Sequence, residues 1–309
     1  MRAIAVDEFG GTPKLVELPK PVPGPGEVLV RLAAAGVNPF DRKVADGMLK
    51  GSLRHVFPLV LGVDGAGVVE ALGEGVTRFA VGDAVFGTFF HVPAGTGTYA
   101  EYVTVPETNP LAPLPAGFDP VVAAALPTAG LTAMQVVDAL EAEKGATVLV
   151  VGATGGVGTF VVQLAAGAGL RVVATGRPRD ADRLRELGAA EVVDHTTGPL
   201  AEHVSAVDAL IDLVGDSEAF TAALAAVRPG GRALTTTFSA DADALAARGI
   251  SGGNFEMRGT PDALTRLAEV VSDGRLKVLV EHHLPLAEAA EELVRLRAIG
   301  ARGKTVVVV

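Results

Sequence analysis

The plainest chemistry in this 309-residue chain is a glycine-rich turn. Immediately after the apolar, β-branched run Val148 to Val151 come Gly152-Ala153-Thr154-Gly155-Gly156-Val157-Gly158. The next residues place Val157, Phe160, Val161, Leu164, Ala165 and Ala168 on one face of a helix. A diphosphate can lie on the free N–H groups of a helix N-terminus only where the backbone approaches closely. Glycines permit the turn, the approach and the packing of helix on strand. Thr154, Gly155, Gly156 and Val157 are therefore the expected cradle of a dinucleotide. The spacing is GxxGxxG rather than GxGxxG, so its place between a strand and a helix carries as much of the argument as the glycines do.

A dinucleotide fold reads the adenosine ribose about 20 residues beyond its glycines. There this chain has Thr175-Gly176-Arg177-Pro178-Arg179. An acid would accept bonds from a free 2′-hydroxyl, whereas Arg177 and Arg179 suit a 2′-phosphate through charge-assisted bonds. NADPH is the expected cofactor, with Thr175 and Gly176 beside its sugar. Asp180 and Asp182 are expected as the N-cap and first turn of a helix ending at Leu187.

The elements that must position these residues follow from texture. The first 120 or so residues hold short β-rich pieces, Ala3 to Val6, Val28 to Ala33, Ala66 to Ala71 and Tyr99 to Val105, separated by turn clusters. From about Thr147, apolar runs near 147–151, 171–175, 191–193, 208–213 and 231–237 alternate with amphipathic segments. That alternation predicts an α/β, doubly wound parallel Rossmann sheet beside a mostly β domain. Val214 and Gly215 end the fourth strand at its carboxyl edge, where open sheets bind ligands. A helix is expected over Pro261 to Ser272, followed by a strand-like VEHHLPL, a helix AEAAEELVRLRAIG and a final strand KTVVVV that returns to the first domain. The predicted division is 1–121 with 272–309, and 122–271.

Composition narrows the function. With 49% hydrophobic and 20% charged residues the chain is expected to be globular throughout, and a net charge of −10 without a basic cluster argues against nucleic acid. The absence of cysteine removes disulfides, thiolate metal sites and a cysteine nucleophile. The six histidines show no metal spacing. Ala146 to Leu170 is free of charge and longer than the ~20-residue span of a membrane helix, but six glycines mark it as strand, turn and helix. With no basic stretch and apolar run at the start, the expected location is cytoplasmic, without a membrane partner.

Collinear blocks along the whole chain, PGPGEVLVRLAAAGVNPFD, FPLVLGVDGAGVVEALGEGVTRFAVGDAVFG, AGLTA, VLVVGATGGVG, LGAAEVVDH, VRPGGRAL and ARGK, resemble the zinc-independent medium-chain dehydrogenase/reductases of the quinone oxidoreductase (zeta-crystallin-like) type. The resemblance implies a GroES-like catalytic domain clasping the Rossmann domain, with nicotinamide in the cleft. It implies a reductase passing hydride from NADPH to a quinone or to the C=C of an α,β-unsaturated carbonyl. Asn38 and Asp41 match the family's Asn-x-x-Asp loop, the Asn hydrogen-bonding the substrate carbonyl. Thr132, Thr235, Thr236, Asn254, Phe255 and Lys304 match cofactor-lining blocks, and His195 stands where an aromatic residue usually meets the nucleotide. Where zinc alcohol dehydrogenases carry Gly-His-Glu, this chain reads Gly62-Val63-Asp64, so no catalytic metal is expected. Lys43, Ala45 and Leu49 replace residues common in relatives, which leaves the acceptor open. A short-chain reductase is excluded, since its Tyr-x-x-x-Lys is missing. A non-catalytic NADPH-binding redox sensor or crystallin-like protein is the alternative. The Gly-rich, uncharged segment near Ile250 to Phe255 predicts an open sheet edge closed by a homodimer, as the resemblance also does.

Overall fold

The computed structural model of the chain describes residues 1–291, 293–294 and 302–309. It divides into two compact units, one of Met1–Leu131, Gly259–Gly274 and Val280–Val309, the other of Thr132–Arg258 and Arg275–Leu279.

In the first unit, alternation of small apolar residues along Glu27–Gly36 buries most of that long strand and makes it the spine of a seven-stranded sheet. The strand order runs Val280–Pro285, Lys304–Val308, Glu27–Gly36, Asp64–Leu72, Ala84–Thr88, Leu111–Pro113, with Tyr102–Pro106 also paired to the spine. All pairs are antiparallel except Val280–Pro285 with Lys304–Val308. Val28, Val30, Leu32, Val69, Val85, Phe89, Val103 and Leu111 form one core beneath it. A smaller antiparallel sheet orders Lys14–Glu17, Arg2–Val6 and Leu59–Val60. Both tail strands join this unit.

The second unit is a six-stranded, wholly parallel sheet in the order Glu191–Val193, Arg171–Thr175, Thr147–Val151, Val207–Asp212, Val227–Thr235, Ser251–Asn254. Strand order reverses between Thr147–Val151 and Val207–Asp212, the arrangement of a doubly wound sheet. Its core gathers Leu149, Val173, Leu210, Phe220, Leu224 and Ala233.

The helix Pro261–Ser272 forms over the predicted residues, its N-cap Thr260 accepting from Ala263 N at 3.1 Å. Its place differs from the predicted division, because it lies in the first unit. Leu264, Leu267 and Ala268 are its buried face, and Leu267 packs so closely on Gly130 that a Cβ there would stand 2.6 Å from Leu267 Cδ2. The first unit accordingly extends through Leu131 rather than ending at 121. The helix expected over 287–300 lies partly outside the described residues. Among the described residues no helix is long and apolar enough to cross a membrane.

Candidate functional site

In the parallel unit the glycine turn links strand Thr147–Val151 to helix Gly158–Gly167. Gly152 adopts φ +85, open to glycine at little strain. A Cβ on Gly158 would collide with the carbonyl oxygen of Gly152, so the helix begins as close to the strand as backbone allows. Gly155 N donates to Gly152 O at 3.1 Å and closes the turn. This is the narrow, side-chain-free helix start that a diphosphate requires, and the residues fit a dinucleotide.

The other predicted cofactor residues of this unit collect around the same sheet edge. Thr175 is buried, and its hydroxyl accepts from Gly152 N at 3.1 Å, so it holds the turn. Gly176 N donates to Val193 O. Arg177 and Arg179 are both exposed, Arg179 Nε lying 3.8 Å from Asp180 Oδ2. Asp194 carries its pKa below the ordinary value, chiefly because Thr196 bonds it, with lesser help from the charges of His195 and Arg177. His195 and Arg177 thus share one surface region. Asp180 occupies the N-cap position of helix Ala181–Glu186 but makes no side-chain cap bond, because a 3₁₀ turn, Pro178–Asp180, intervenes. Asp182 stands in the first turn as predicted and pairs with Arg185.

Val214 and Gly215 both donate backbone N–H to Asp212 Oδ1, at 3.2 and 2.9 Å, and a Cβ on Gly152 would touch Val214 Cγ1. Thr235 is wholly buried, and its hydroxyl meets Asp212 Oδ2, Thr237 and Ser239. Thr236 N donates to Asp212 O, Asn254 Oδ1 accepts from Ala240 N and Phe255 N donates to Thr235 O at 2.7 Å. Thr132 is buried on helix Pro127–Asp138. The sequence reading missed Asp212, Thr237 and Ser239, which knit this edge. It also missed Phe238, an exposed phenylalanine at φ +60 on the loop after the fifth strand. A bulky residue in that region is strained, which marks functional loops.

In the first unit Asn38, Asp41 and Lys304 come together with three residues the sequence reading did not place in a site: Asp64, Tyr99 and Thr128. Asn38 is the N-cap of helix Pro39–Ala45, where Pro39 pre-sets the first turn. Its backbone N–H donates to Asp41 Oδ2 at 2.8 Å, the reciprocal half of a capping box. Its side chain is gripped at both ends: Lys304 Nζ donates to Oδ1 at 2.7 Å and Nδ2 donates to Asp64 Oδ2 at 2.8 Å. An ammonium only donates and a carboxylate only accepts, so the orientation of the Asn38 amide is fixed chemically. The second Nδ2 hydrogen has only a weak partner, Gly36 O at 3.5 Å. Lys304 also donates to Val37 O at 2.9 Å and is 3% exposed, so its ammonium is part of this cluster.

Asp64 accepts from Thr128 N and Thr128 Oγ1 as well as from Asn38. Tyr99 OH donates to Asp41 Oδ2 at 2.6 Å, while Asp41 Oδ1 is buried without a partner. Burial pushes Asp41 up from 3.8 to about 7, against the hydrogen bonds of Tyr99 and Asn38. Burial raises Asp64 too, opposed by Lys304 and Thr128, and lowers Lys304. Asp64 has three donors and the ammonium nearby, whereas Asp41 keeps one bare oxygen and gives up its proton only around neutral pH. The signal for Asp64 was present in the sequence: one acid inside the apolar run FPLVLGVDGAGVV must be satisfied if it is buried.

Among the described residues no three His, Cys, Asp or Glu side chains converge to hold a metal. Asp64 and Asp41 accept from Asn38, Thr128 and Tyr99, with the Lys304 ammonium on the Asn38 oxygen, a donor set that does not fit a tetrahedral zinc.

Comparison with known proteins agrees with this reading of the fold. Residues 24–116 match the alcohol dehydrogenase GroES-like domain, and residues 187–307 match a domain family described as zinc-binding dehydrogenase. The chain is 31% identical to the mitochondrial NAD(P)H oxidoreductase RTN4IP1 of Mus musculus, over 92% of this chain and 82% of that one. It is 29% identical to a chloroplastic NADPH-dependent alkenal/one oxidoreductase of Arabidopsis thaliana, over 99% and 79%. The solved quinone oxidoreductase of Coxiella burnetii superposes with a TM-score of 0.91 at 30% identity, covering 100% of this chain and 99% of that one. The chain belongs to the medium-chain dehydrogenase/reductase family of oxidoreductases, among the quinone oxidoreductases.

Proposed function

We propose that this protein is an NADPH-dependent reductase, acting without a metal, that reduces a quinone or the C=C of an α,β-unsaturated carbonyl. The observation that carries the acceptor half is the Asn38 amide, locked by Lys304 and Asp64 with one Nδ2 hydrogen left for a carbonyl oxygen. Hydride addition to such an acceptor places negative charge on that oxygen, and a preorganised donor stabilises it as the charge grows. Reduced nicotinamide supplies the hydride when bound. The glycine turn at Thr154, Gly155, Gly156 and Val157 holds the diphosphate. Val214, Gly215, Asn254 and Phe255 line the carboxyl edge, with Thr175, Thr235 and Thr236 bracing it from behind. Asp41 positions Asn38 through the backbone bond rather than touching the acceptor. Stopped-flow loss of NADPH absorbance with a panel of quinones and enones tests the reading. Oxidation with at least one class supports it, and silence across the panel at saturating NADPH leaves the non-catalytic binding protein in its place.

Arg177 and Arg179 are the proposed 2′-phosphate ligands. Charge-assisted bonds contribute ~1.5–3 kcal/mol each, and the exposure of both side chains and the nearness of Asp180 pull the sum toward its lower end. A preference for NADPH over NADH of roughly a hundredfold is expected. Replacing both arginines by serine should erase it while leaving NADH affinity unchanged, as measured by calorimetric titration at two salt concentrations. Equal affinities in the unmodified protein would put both side chains in solvent.

Among the described residues the edge strand Ser251–Asn254 pairs on one side only, and it carries Gly252 and Gly253 in its middle, with no charged residue to blunt it. We infer a homodimer closed across this edge, in the cytoplasm. Light scattering at micromolar concentration should return twice the chain mass, and a monomer mass would refute the dimer.

A further inference from the structure

Tyr99 is held at its backbone and its ring alike. Ile4 N donates to its carbonyl oxygen at 2.8 Å, and its own N–H donates to Leu61 O at 2.9 Å. The ring is buried with Ile4, Ala35, Leu59 and Leu61, so close to Gly62 that a Cβ there would stand 2.5 Å from Tyr99 Cδ1. The hydroxyl donates at 2.6 Å to Asp41 Oδ2, the one acceptor it finds among the described residues.

Asp41 lies on the seven-residue helix Pro39–Ala45, too short to hold itself in place by its own turns. Among the described residues Tyr99 is the only side chain bonded to its carboxyl, and both donors on that carboxyl, Tyr99 OH and Asn38 N, meet the same oxygen, Oδ2. Oδ1 is buried without a partner. A neutral carboxyl has one hydroxyl oxygen, which accepts poorly, and one carbonyl oxygen, which accepts well. With two donors aimed at Oδ2, the proton is driven to Oδ1, and Oδ2 stays an acceptor as it is in the ionised group. Burial and the nearness of Asp41 keep the Tyr99 proton far above the ordinary phenol range, with the Asn38 N–H opposing the rise, so the hydroxyl donates throughout. The charged groups that face Asp41 from other elements are Asp64, which raises its pKa, and Lys304, which lowers it.

We propose that Tyr99 is a positioning residue for the reaction: it holds Oδ2 of Asp41 as an acceptor whether or not that carboxyl carries its proton, and so keeps the Asn38 backbone, and with it the Asn38 amide, in one place. This rests on the reductase reading above and adds a residue to the acceptor side of that same site.

Tyr99→Phe removes the hydroxyl and keeps the packed ring, leaving Asn38 N as the one donor on Asp41. An ionised carboxylate holds such a donor roughly twice as strongly as a neutral carboxyl does. The damage should therefore be greatest at low pH, the more so because loss of the Tyr99 bond raises the pKa of Asp41 further. With whichever quinone or enone is turned over, kcat of Tyr99→Phe relative to the unmodified protein should be down roughly three- to thirtyfold at pH 6 and recover by about threefold or more toward pH 9, with NADPH affinity unchanged. Tyr99→Phe combined with Asp41→Asn, whose amide oxygen accepts at every pH, should lose that slope. A relative kcat equal at pH 6 and pH 9 overturns the proposal, as does a slope that survives in the double variant. A readout without any acceptor is available because asparagine occurs only at positions 38, 109 and 254. With asparagine nitrogen isotopically labelled, protection of the Asn38 N–H from solvent exchange, corrected for the intrinsic rate, should hold within about twofold from pH 6 to 8 in the unmodified protein and fall roughly threefold or more at pH 6 in Tyr99→Phe. If no acceptor is reduced but protection behaves in this way, Tyr99 stands as the tie on Asn38 and the reductase reading falls. Turnover with protection and relative kcat indifferent to the phenylalanine leaves the reductase reading and makes Tyr99 a packing residue only.

Discussion

Replacing Lys304 by methionine is expected to be the most damaging single change in the first unit. The ammonium is 3% exposed and lies between Val37 O and Asn38 Oδ1, with the buried carboxyl groups of Asp64 and Asp41 close enough to hold its charge. Removing one partner from a buried ionic cluster typically costs about 3–5 kcal/mol, because the charge left behind has neither water nor counter-ion. Denaturant unfolding should show that loss. Lys304→Met combined with Asp64→Asn removes both charges at once and should recover more than half of it, a coupling that a double-mutant cycle reads directly. The recovery should not extend to turnover. Without a pure donor on Oδ1 and a pure acceptor on Nδ2, the Asn38 amide can turn over, so kcat should stay low in the double variant while NADPH affinity is retained. A double variant no more stable than Lys304→Met would mean that the lysine acts through packing alone.

Asp41→Asn is expected to stabilise the protein above neutrality. The folded protein holds the Asp41 proton to about pH 7, whereas the unfolded chain releases it near 3.8. Between those values the native state binds more protons than the unfolded state, so stability falls as pH rises. The contribution is fully present below about pH 4 and exhausted above about pH 7. At about 1.4 kcal/mol per pH unit, the gap caps the effect at roughly 4 kcal/mol. Asparagine keeps an oxygen for Tyr99 OH and Asn38 N and carries no charge at any pH. Melting temperatures measured from pH 4 to 8 should therefore decline in the unmodified protein and flatten in the variant, with the variant higher at pH 8. Lys304, whose pKa is lowered by burial, adds a slope of opposite sign. Parallel melting profiles for the two proteins would show that Asp41 ionises normally.

The parallel sheet was legible because buried parallel strands are nearly continuous runs of Val, Ile and Leu, and the runs near 147–151, 171–175 and 191–193 begin and end where the strands do. The fifth strand runs Val227–Thr235 rather than 231–237, taking in Pro229-Gly230-Gly231, a local sequence that disfavours a strand. Tertiary pairing with Val207–Asp212 overrides that preference through a register shift. The glycine turn was legible for the same local reason. The Asn38 cluster was only half legible. Asn38 and Asp41 belong to one capping box, a short-range pattern, but Asp64, Tyr99, Thr128 and Lys304 reach it from four other stretches of chain. No spacing rule connects residues that meet only because strands pair across a sheet. Helix Pro261–Ser272 likewise showed its caps and its amphipathic face, but nothing local tells against which unit that face packs.

Asn38 and Lys304 are 266 positions apart, and the whole parallel unit lies between them in the chain. During synthesis the parallel unit can therefore be complete while the Asn38 cluster still lacks its cation. Until residue 304 docks, the buried carboxyl of Asp64 has no positive charge beside it, and water must remain there to solvate it when ionised. Electrostatics thus ties completion of the Asn38 cluster to the arrival of Lys304, after every residue of the parallel unit has been made.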